Sequence, residues 1–452
     1  MPLTLDTTNS QFRKIGKQGI PPKKLKEIQP KVLHALAGMQ ADRTAGKLAF
    51  LDLPEAKQSV QACKKMAARF KEAENLIIAG IGGSALGPQA LFSALAHPLH
   101  NHLSAKQRSG APRFFILDNI DPDQTEAVFE LCRPEKTVYN IISKSGATAE
   151  TAAATLIIFD RLRQKLGASW KKQVVCTTDP KNGDLRALCN ELRLKTLDLP
   201  PGVGGRFSVL TPVGLFPAFC LGFDVEALLK GAAAMRERCL GDNMDENPAA
   251  QLASYLYLFD TTRHKPMHVM MAYANALYSL ADWFRQLWAE SLGKAKDTMG
   301  STVHVGPTPL KALGTTDQHS QVQLYIEGPP DKVFLFLEAK KFHHELKLPA
   351  GFPHVSSLNY LGGQSMNKLL AAEFAATREA LARQERPSMT ISFDEINAHS
   401  VGEFFMLWEI TTALAGFLYN INPYDQPGVE LGKILTYSLM GRKGYEGRAE
   451  GM

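Results

Sequence analysis

The chain has 452 residues, 45% of them hydrophobic and 21% charged, the make-up of a soluble globular protein with room for two substantial cores. Its formal net charge is +6, but the basic residues are spread out. The clusters at Lys23–Lys26, Lys171–Lys172 and Lys340–Lys341 read as solvated faces and not as a nucleic-acid patch.

The six cysteines, Cys63, Cys132, Cys176, Cys189, Cys220 and Cys239, form no CxxC pair and sit mostly in apolar runs. That favours reduced thiols in a cytoplasmic protein over a disulfide or zinc framework. The N-terminus has no apolar signal core. Phe404–Tyr419 carries Glu409 in its middle and is short for a membrane span, so it reads as a buried helix.

Residues 1–53 predict an arm of short helices broken by Pro21, Pro22 and Pro30, and Pro54–Glu74 predicts a basic amphipathic helix. From Asn75 the pattern alternates. Strands are expected at Leu76–Ala79, Phe114–Leu117, Thr137–Ile142 and Gln173–Thr177, with helices at Pro88–Ala96, Asp123–Leu131, Thr148–Leu166 and Asp184–Leu192. After Pro200–Pro201 come GVGGRFSVLTPVG and two apolar helices ending near Leu240. The polar run 241–247 is the candidate boundary.

A second alternation follows, with strands at His268–Met271, Thr302–Val305, Val333–Leu337 and Met389–Phe393. Helices are expected at Pro248–Phe259, Ala274–Ser291, Gln318–Ile326, Gln364–Ala382 and Ser400–Leu418. The expectation is an α/β protein of two doubly wound units with mainly parallel sheets flanked by helices. An arm (1–74) precedes a first unit (75–240) and a second unit with C-terminal helices (241–452). Similar size suggests duplication, although no repeat is visible letter by letter.

The segment IISKSGATAET, Ile141–Thr151, ends one strand and opens a helix. Ser143, Lys144, Ser145, Gly146, Thr148 and Thr151 there offer hydroxyls, a cation and free backbone N–H groups at a helix start, the outline of a phosphate cup. Standing alone, it reads as an ordinary βα loop with Thr148 as N-cap.

GIGGSALGP, Gly80–Pro88, satisfies the relaxed dinucleotide fingerprint through Gly80, Gly82 and Ala85. The first acid at a following strand end, Asp118, comes too late for it. Gly83 and Ser84 instead fit a bare backbone and a hydroxyl facing a sugar or phosphate. Gly204 and Gly205 let the main chain approach a ligand closely, beside the permanent charge of Arg206. Gln286 and Glu290 share a helix face, where Leu287, Trp288 and Ala289 can strip water from the glutamate and make it a better proton acceptor. His319 lies near a helix start, and Lys433 follows the kinked YDQPGVELGK segment. Neither HExxH nor a credible metal cluster is present in the sequence; His97, His100 and His102 read as a solvated loop.

Taken in order, GIGGSALGP, SKSGATAET, GVGGRFS, QLWAESLGK, DQHSQ and YDQPGVELGK resemble the phosphoglucose isomerase family, in its shorter bacterial form, from about Leu76 to Lys433. The resemblance implies two sugar-isomerase (SIS) domains and a cofactor-free, metal-free interconversion of glucose 6-phosphate and fructose 6-phosphate in glycolysis and gluconeogenesis. It assigns Ser84, Ser143, Lys144, Ser145 and Thr148, with Thr151 and Gly83 close by, to the substrate phosphate. Glu290 is assigned to proton transfer through a cis-enediolate, Arg206 to the anion so formed, and Gly205 to substrate or phosphate binding. His319 and Lys433 are assigned to ring opening, Gln286 and Gln426 to substrate contacts. In the family the histidine serves the neighbouring subunit, which implies a homodimer; no nucleic acid or membrane partner is implied. Ala147 and Leu292 depart from common family residues without removing a reactive group. A non-catalytic sugar-phosphate sensor could dispense with Glu290, His319 and Lys433, so their presence favours the enzyme.

Overall fold

The computed structural model describes residues 1–451. The N-terminus contributes a short strand β1 (Thr4–Asp6), and the next long element is a helix, Pro22–Thr44. That helix corrects the expected arm of short helices: it runs through Pro30, burying Ile28, Val32, Ala35, Leu36 and Met39 on one side. The apolar stripe holds it on the core despite one missing backbone donor. The amphipathic helix beyond it is shorter than expected, Lys57–Ala68, because Ala49–Glu55 is a 3₁₀ stretch containing Pro54.

The first sheet consists of β2 (Asn75–Ala79), β3 (Arg113–Leu117), β4 (Thr137–Ile142), β5 (Val174–Thr178) and β6 (Lys195–Asp198), the last absent from the sequence reading. Its order is β3-β2-β4-β5-β6, parallel throughout. The chain leaves β2 toward β3, then returns across it to β4. This reversal makes the β2/β4 crevice the switch point where ligands of doubly wound sheets bind.

The second sheet uses β7 (Met267–Ala272); a small antiparallel hairpin, β8 (Lys294–Lys296) with β9 (Thr302–Val305), stands apart from it. Thr302–Val305 is therefore a strand as expected, but outside the main sheet. The place beside β7 goes to β10 (Thr308–Leu313), an edge strand where Pro309 is tolerated. β11 (Lys332–Lys341) and β12 (Ser388–Glu395) complete the order β1-β12-β11-β7-β10, with only β1 antiparallel. Both sheets wind alike: the second strand falls to one side of the first, the third and fourth to the other. Duplication invisible in the letters is thus legible in the topology.

Alternate strand residues face opposite sides. Leu76, Ile78, Val138 and Val175 of the first sheet and Met270, Val333, Leu335 and Met389 of the second enter one common core with Phe284, Trp288 and Trp408. Their in-between neighbours, such as Ile77 and Tyr139 or Val269 and Phe336, fill two outer clusters. Helix Val225–Leu240 lies against helix Ala398–Tyr419, and β-carbons added at Gly231 and Gly402 would fall 1.9 Å from carbonyl oxygens of the facing helix. Within Ala398–Tyr419 the most apolar window is 94% buried inside the protein, as its reading as a core helix requires.

Candidate active site

Two glycine-bearing turns meet at the carboxyl ends of β2 and β4. Helix Gly83–Leu95 begins five residues before the expected Pro88, so Ser84 stands in its first turn. At Gly80 an added β-carbon would lie 2.8 Å from the Ser84 Cβ and 3.1 Å from the Ile142 carbonyl oxygen, which sets Ser84 beside the end of β4. There Ser143 is buried and its Oγ accepts from the Gly146 N–H at 2.9 Å, while Ser145 Oγ accepts from the Ala147 N–H at 3.2 Å. Each hydroxyl thereby keeps its hydrogen for a ligand.

Thr148 is the N-cap of helix Ala149–Leu166 but makes no side-chain cap bond, which leaves its hydroxyl free; Thr151 is buried one turn on. Gly146 has φ +76°, and a β-carbon there would meet the Leu185 N–H nitrogen at 2.1 Å, so this loop is wedged against helix Asp184–Leu192. Lys144 Nζ donates to the Val203 carbonyl at 3.1 Å and ties the cup to the glycine-rich turn carrying Arg206.

Arg206, 4% exposed, organises the other half. Its Nε donates to Ser291 Oγ at 2.9 Å, one terminal nitrogen to Glu290 Oε1 and Gln426 Oε1, both at 2.8 Å, and the other to the carbonyls of Pro423 (2.8 Å) and Asp425 (3.1 Å). Burial pulls the guanidinium down from its ordinary pKa, and the Glu290 carboxylate works against that. Glu290 Oε2 accepts from Gln286 Nε2 at 3.0 Å. Leu287 and Trp288 are buried in the core, so it is Arg206 and Gln286 that surround the Glu290 carboxylate, a correction to the expected apolar surroundings.

A close approach between main chains is made at Gly83. A β-carbon on Gly83 would sit 2.1 Å from the Gly205 carbonyl oxygen and 2.4 Å from its carbon, whereas one on Gly205 would meet nothing within 4 Å. Gly83 lets the helix start abut the Arg206 turn, and Gly205 borders open space.

Lys433 lies in helix Glu430–Leu439 and pairs with Glu430 at 2.7 Å. Tyr437, one turn on and so on the same face, donates its hydroxyl to the Ala147 carbonyl at 2.8 Å, which lays this helix against the cup. His319 does not join the cluster. It is exposed in helix Gly314–Ser320, after the end of β10, where Leu313 pairs with Ala272 and Tyr273 Oη donates to Gln318. That is the Asn275 end of helix Asn275–Leu292, and Glu290 lies near the other end. At 1.5 Å rise per residue, Asn275 and Glu290 stand about 22 Å apart along that helix.

Sequence reasoning missed Ser291, Lys294 and Asp425. Lys294 is 7% exposed and donates to the carbonyls of Glu290 (2.9 Å) and Ser291 (2.8 Å). Its place four residues after Glu290, at a helix C-terminus, was the available signal. All six cysteines are free thiols, and no group of three metal-binding side chains occurs among the described residues.

A hydroxyl-lined helix start at the switch point of a parallel sheet, facing a glutamate held by a buried arginine, is the equipment of an α/β enzyme that acts on a phosphorylated small molecule. The phosphoglucose isomerase family model matches residues 49–446. Glucose-6-phosphate isomerases of Carboxydothermus hydrogenoformans and Rubrobacter xylanophilus are each 44% identical, over 99% and 94% of this chain and 96% of each relative. Among solved structures, a hypothetical protein from Thermus thermophilus superposes with TM-score 0.86 at 37% identity, covering 97% of this chain and all of the other. A glucose-6-phosphate isomerase from Chlamydia trachomatis superposes with TM-score 0.74 at 25% identity, covering 85% and 73%. The chain belongs to the phosphoglucose isomerase family and is an aldose–ketose isomerase.

Proposed function

We propose that this enzyme interconverts glucose 6-phosphate and fructose 6-phosphate, a step of glycolysis and gluconeogenesis, without metal or cofactor. The observation that carries the proposal is the Glu290–Arg206 pair at 2.8 Å, set beside a cup of hydroxyls at the end of β4. Ser84, Ser143, Lys144, Ser145, Thr148 and Thr151, with the bare backbone of Gly83, hold the phosphate. The binding energy of this non-reacting group positions C1 and C2.

Lys433 and the partner subunit's His319 open the sugar ring by moving the proton between the ring oxygen and the C1 hydroxyl. The Glu290 carboxylate then takes the C2 proton, the electron pair shifts to the C1 oxygen, and the cis-enediolate forms beside the fixed charge of Arg206. Passing the C2 hydroxyl proton to the C1 oxygen and returning the carbon-bound proton to C1 gives the ketose, so the reaction is redox-neutral. Gln286 and Gln426 orient the carboxylate and guanidinium, and Gly205 leaves room for the sugar. Because the guanidinium is already hydrogen-bonded to fixed carbonyls, it needs little reorganisation as the anion develops.

The enzyme works as a cytoplasmic homodimer, and the placement of His319 by the Asn275 end of the helix that carries Glu290 near its other end supports a site completed by a second copy. The three spans 1–74, 75–240 and 241–452 are its working divisions, supported by the shared winding of the two sheets and by β1 pairing with β12. Glu290→Gln tests the chemistry. The variant is expected to lose at least about 10³-fold in kcat while binding sugar phosphate, and to stop moving deuterium from C2 to C1 or to water. Retained turnover rules out Glu290 as the base.

A further inference from the structure

Arg206 and Glu290 account for the charges that face a sugar, but a second buried cation lies directly behind them. Lys294 leaves helix Asn275–Leu292 one turn after Glu290 and folds its side chain back, so that Nζ donates to the Glu290 and Ser291 carbonyls. With the Gly293 N–H donating to the Ala289 carbonyl, the three consecutive carbonyls of residues 289–291 each have a donor. The same ammonium lies 3.8 Å from Asp425 Oδ1, and Asp425 Oδ2 accepts from Asn422 Nδ2 at 2.8 Å. The main chain of this 422–426 turn carries the Pro423 and Asp425 carbonyls that hold Arg206, and its Gln426 side chain meets the same guanidinium.

A closed circuit results: the helix end carrying Glu290, Arg206 bonded to Ser291 and Glu290, the turn bonded to Arg206, and Lys294 joining turn to helix end. A lysine used only to cap a helix keeps its head in water. Lys294 is instead buried against the cost of desolvation, which lowers its pKa, as does the nearby Arg206, while Asp425 and Glu290 oppose both. Neither Lys294 nor Asp425 hydrogen-bonds to the hydroxyl cup.

We infer that Lys294 is a positioning residue for the proton transfer: it locks the last turn of the Glu290 helix to the turn that holds Arg206, so that base and cation keep one fixed geometry toward C1 and C2. This rests on Glu290 being the base. A misplacement of about 1 Å between reacting groups is enough to cost about 10²-fold in rate, so the effect belongs in kcat and leaves the phosphate-dependent KM alone.

Lys294→Met keeps the length and apolar stem and removes the donor. The expected result is a fall in kcat of about 30–100-fold with KM within about threefold. Inhibition by inorganic phosphate should be unchanged, and a smaller share of C2 deuterium should reach C1, because a loosely held carboxylic acid exchanges its proton with water before returning it. A folded Lys294→Met enzyme with wild-type kcat, or one whose loss lies in KM, overturns the inference.

Should Lys294→Met not fold, Asp425→Asn decides. It keeps the carbonyl bonds of Lys294 and weakens the charged tie to the turn, with Asn422→Ala as the control for the bond Asp425 accepts from Asn422. A kcat loss of about three- to tenfold at constant KM beyond that of the control supports the inference, and a wild-type kcat overturns it. Glu290→Gln measured alongside separates the two ideas. If it is active, the assignment of the base fails; if it is dead while Lys294→Met and Asp425→Asn match wild type, only the role of Lys294 fails.

Discussion

Gly83→Ala probes the junction on which the whole site rests. The new β-carbon would stand 2.1 Å from the Gly205 carbonyl oxygen, 2.4 Å from the Gly205 carbon and 3.1 Å from the Arg206 nitrogen. A tolerable contact is near 3.4 Å, so helix start and Arg206 turn must part by roughly 1 Å, and backbone atoms on both sides leave no flexible side chain to absorb it. Overpacking of this kind costs about 1–3 kcal/mol of stability. The catalytic loss should be larger, because the parted elements carry Ser84 and Arg206: a misplacement of about 1 Å predicts about 10²-fold in kcat/KM. Gly205→Ala is the control for folding, since its β-carbon meets nothing within 4 Å, and it should melt with the wild type. The assay is initial-rate conversion of fructose 6-phosphate coupled to a dehydrogenase, with thermal melting in parallel. A Gly83→Ala enzyme within about threefold of wild-type kcat/KM and with an unchanged melting temperature would refute the argument from close approach.

The shared-site proposal is tested by mixing subunits. Glu290→Gln and His319→Asn homodimers should each be nearly inactive, whereas mixed dimers contain one site with both residues intact and should recover activity; no recovery after demonstrated subunit exchange removes His319 from the neighbour's site. Glu409 offers a pH test of stability. It is fully buried, neither carboxyl oxygen meets a donor among the described residues, and burial raises its pKa well above the ordinary glutamate value. Above about pH 4.3 the unfolded chain releases this proton while the folded one retains it. Stability from this group is therefore complete below that pH and declines by up to about 1.4 kcal/mol per unit as pH rises toward the raised value. Glu409→Gln should gain melting temperature relative to wild type between pH 5 and pH 8, and a difference independent of pH would contradict a protonated Glu409.

Much of the fold was legible because its strands are buried on both faces. Runs such as Thr137–Ile142 and Val333–Leu337 stand out against the polar turns around them, and the βα rhythm then implies parallel pairing. What escaped detection lies at sheet edges or defies a local rule. β6, β10 and β1 are edge strands whose sequences, KTLD, TPLKAL and TLD, lack a continuous apolar run. Helix Pro22–Thr44 overrides Pro30 because tertiary burial of its stripe outweighs one lost hydrogen bond.

Within the site, residue chemistry was readable and mutual position was not. Ser143–Thr151 announced a helix start rich in donors, and Gln286 with Glu290 announced a shared face, since both depend on spacing within one element. The sequence by itself therefore determined most strand–loop–helix units, the residue types offered to the site and, through its ordered segments, the family. Only the tertiary structure decided that Gly83 abuts the Gly205 main chain, that Lys294 joins the Glu290 helix to the 422–426 turn that holds Arg206, and that His319 lies by the opposite end of the helix carrying Glu290. Each of these depends on distances between segments far apart in the chain, which packing of the shared core fixes and local residue pattern does not encode.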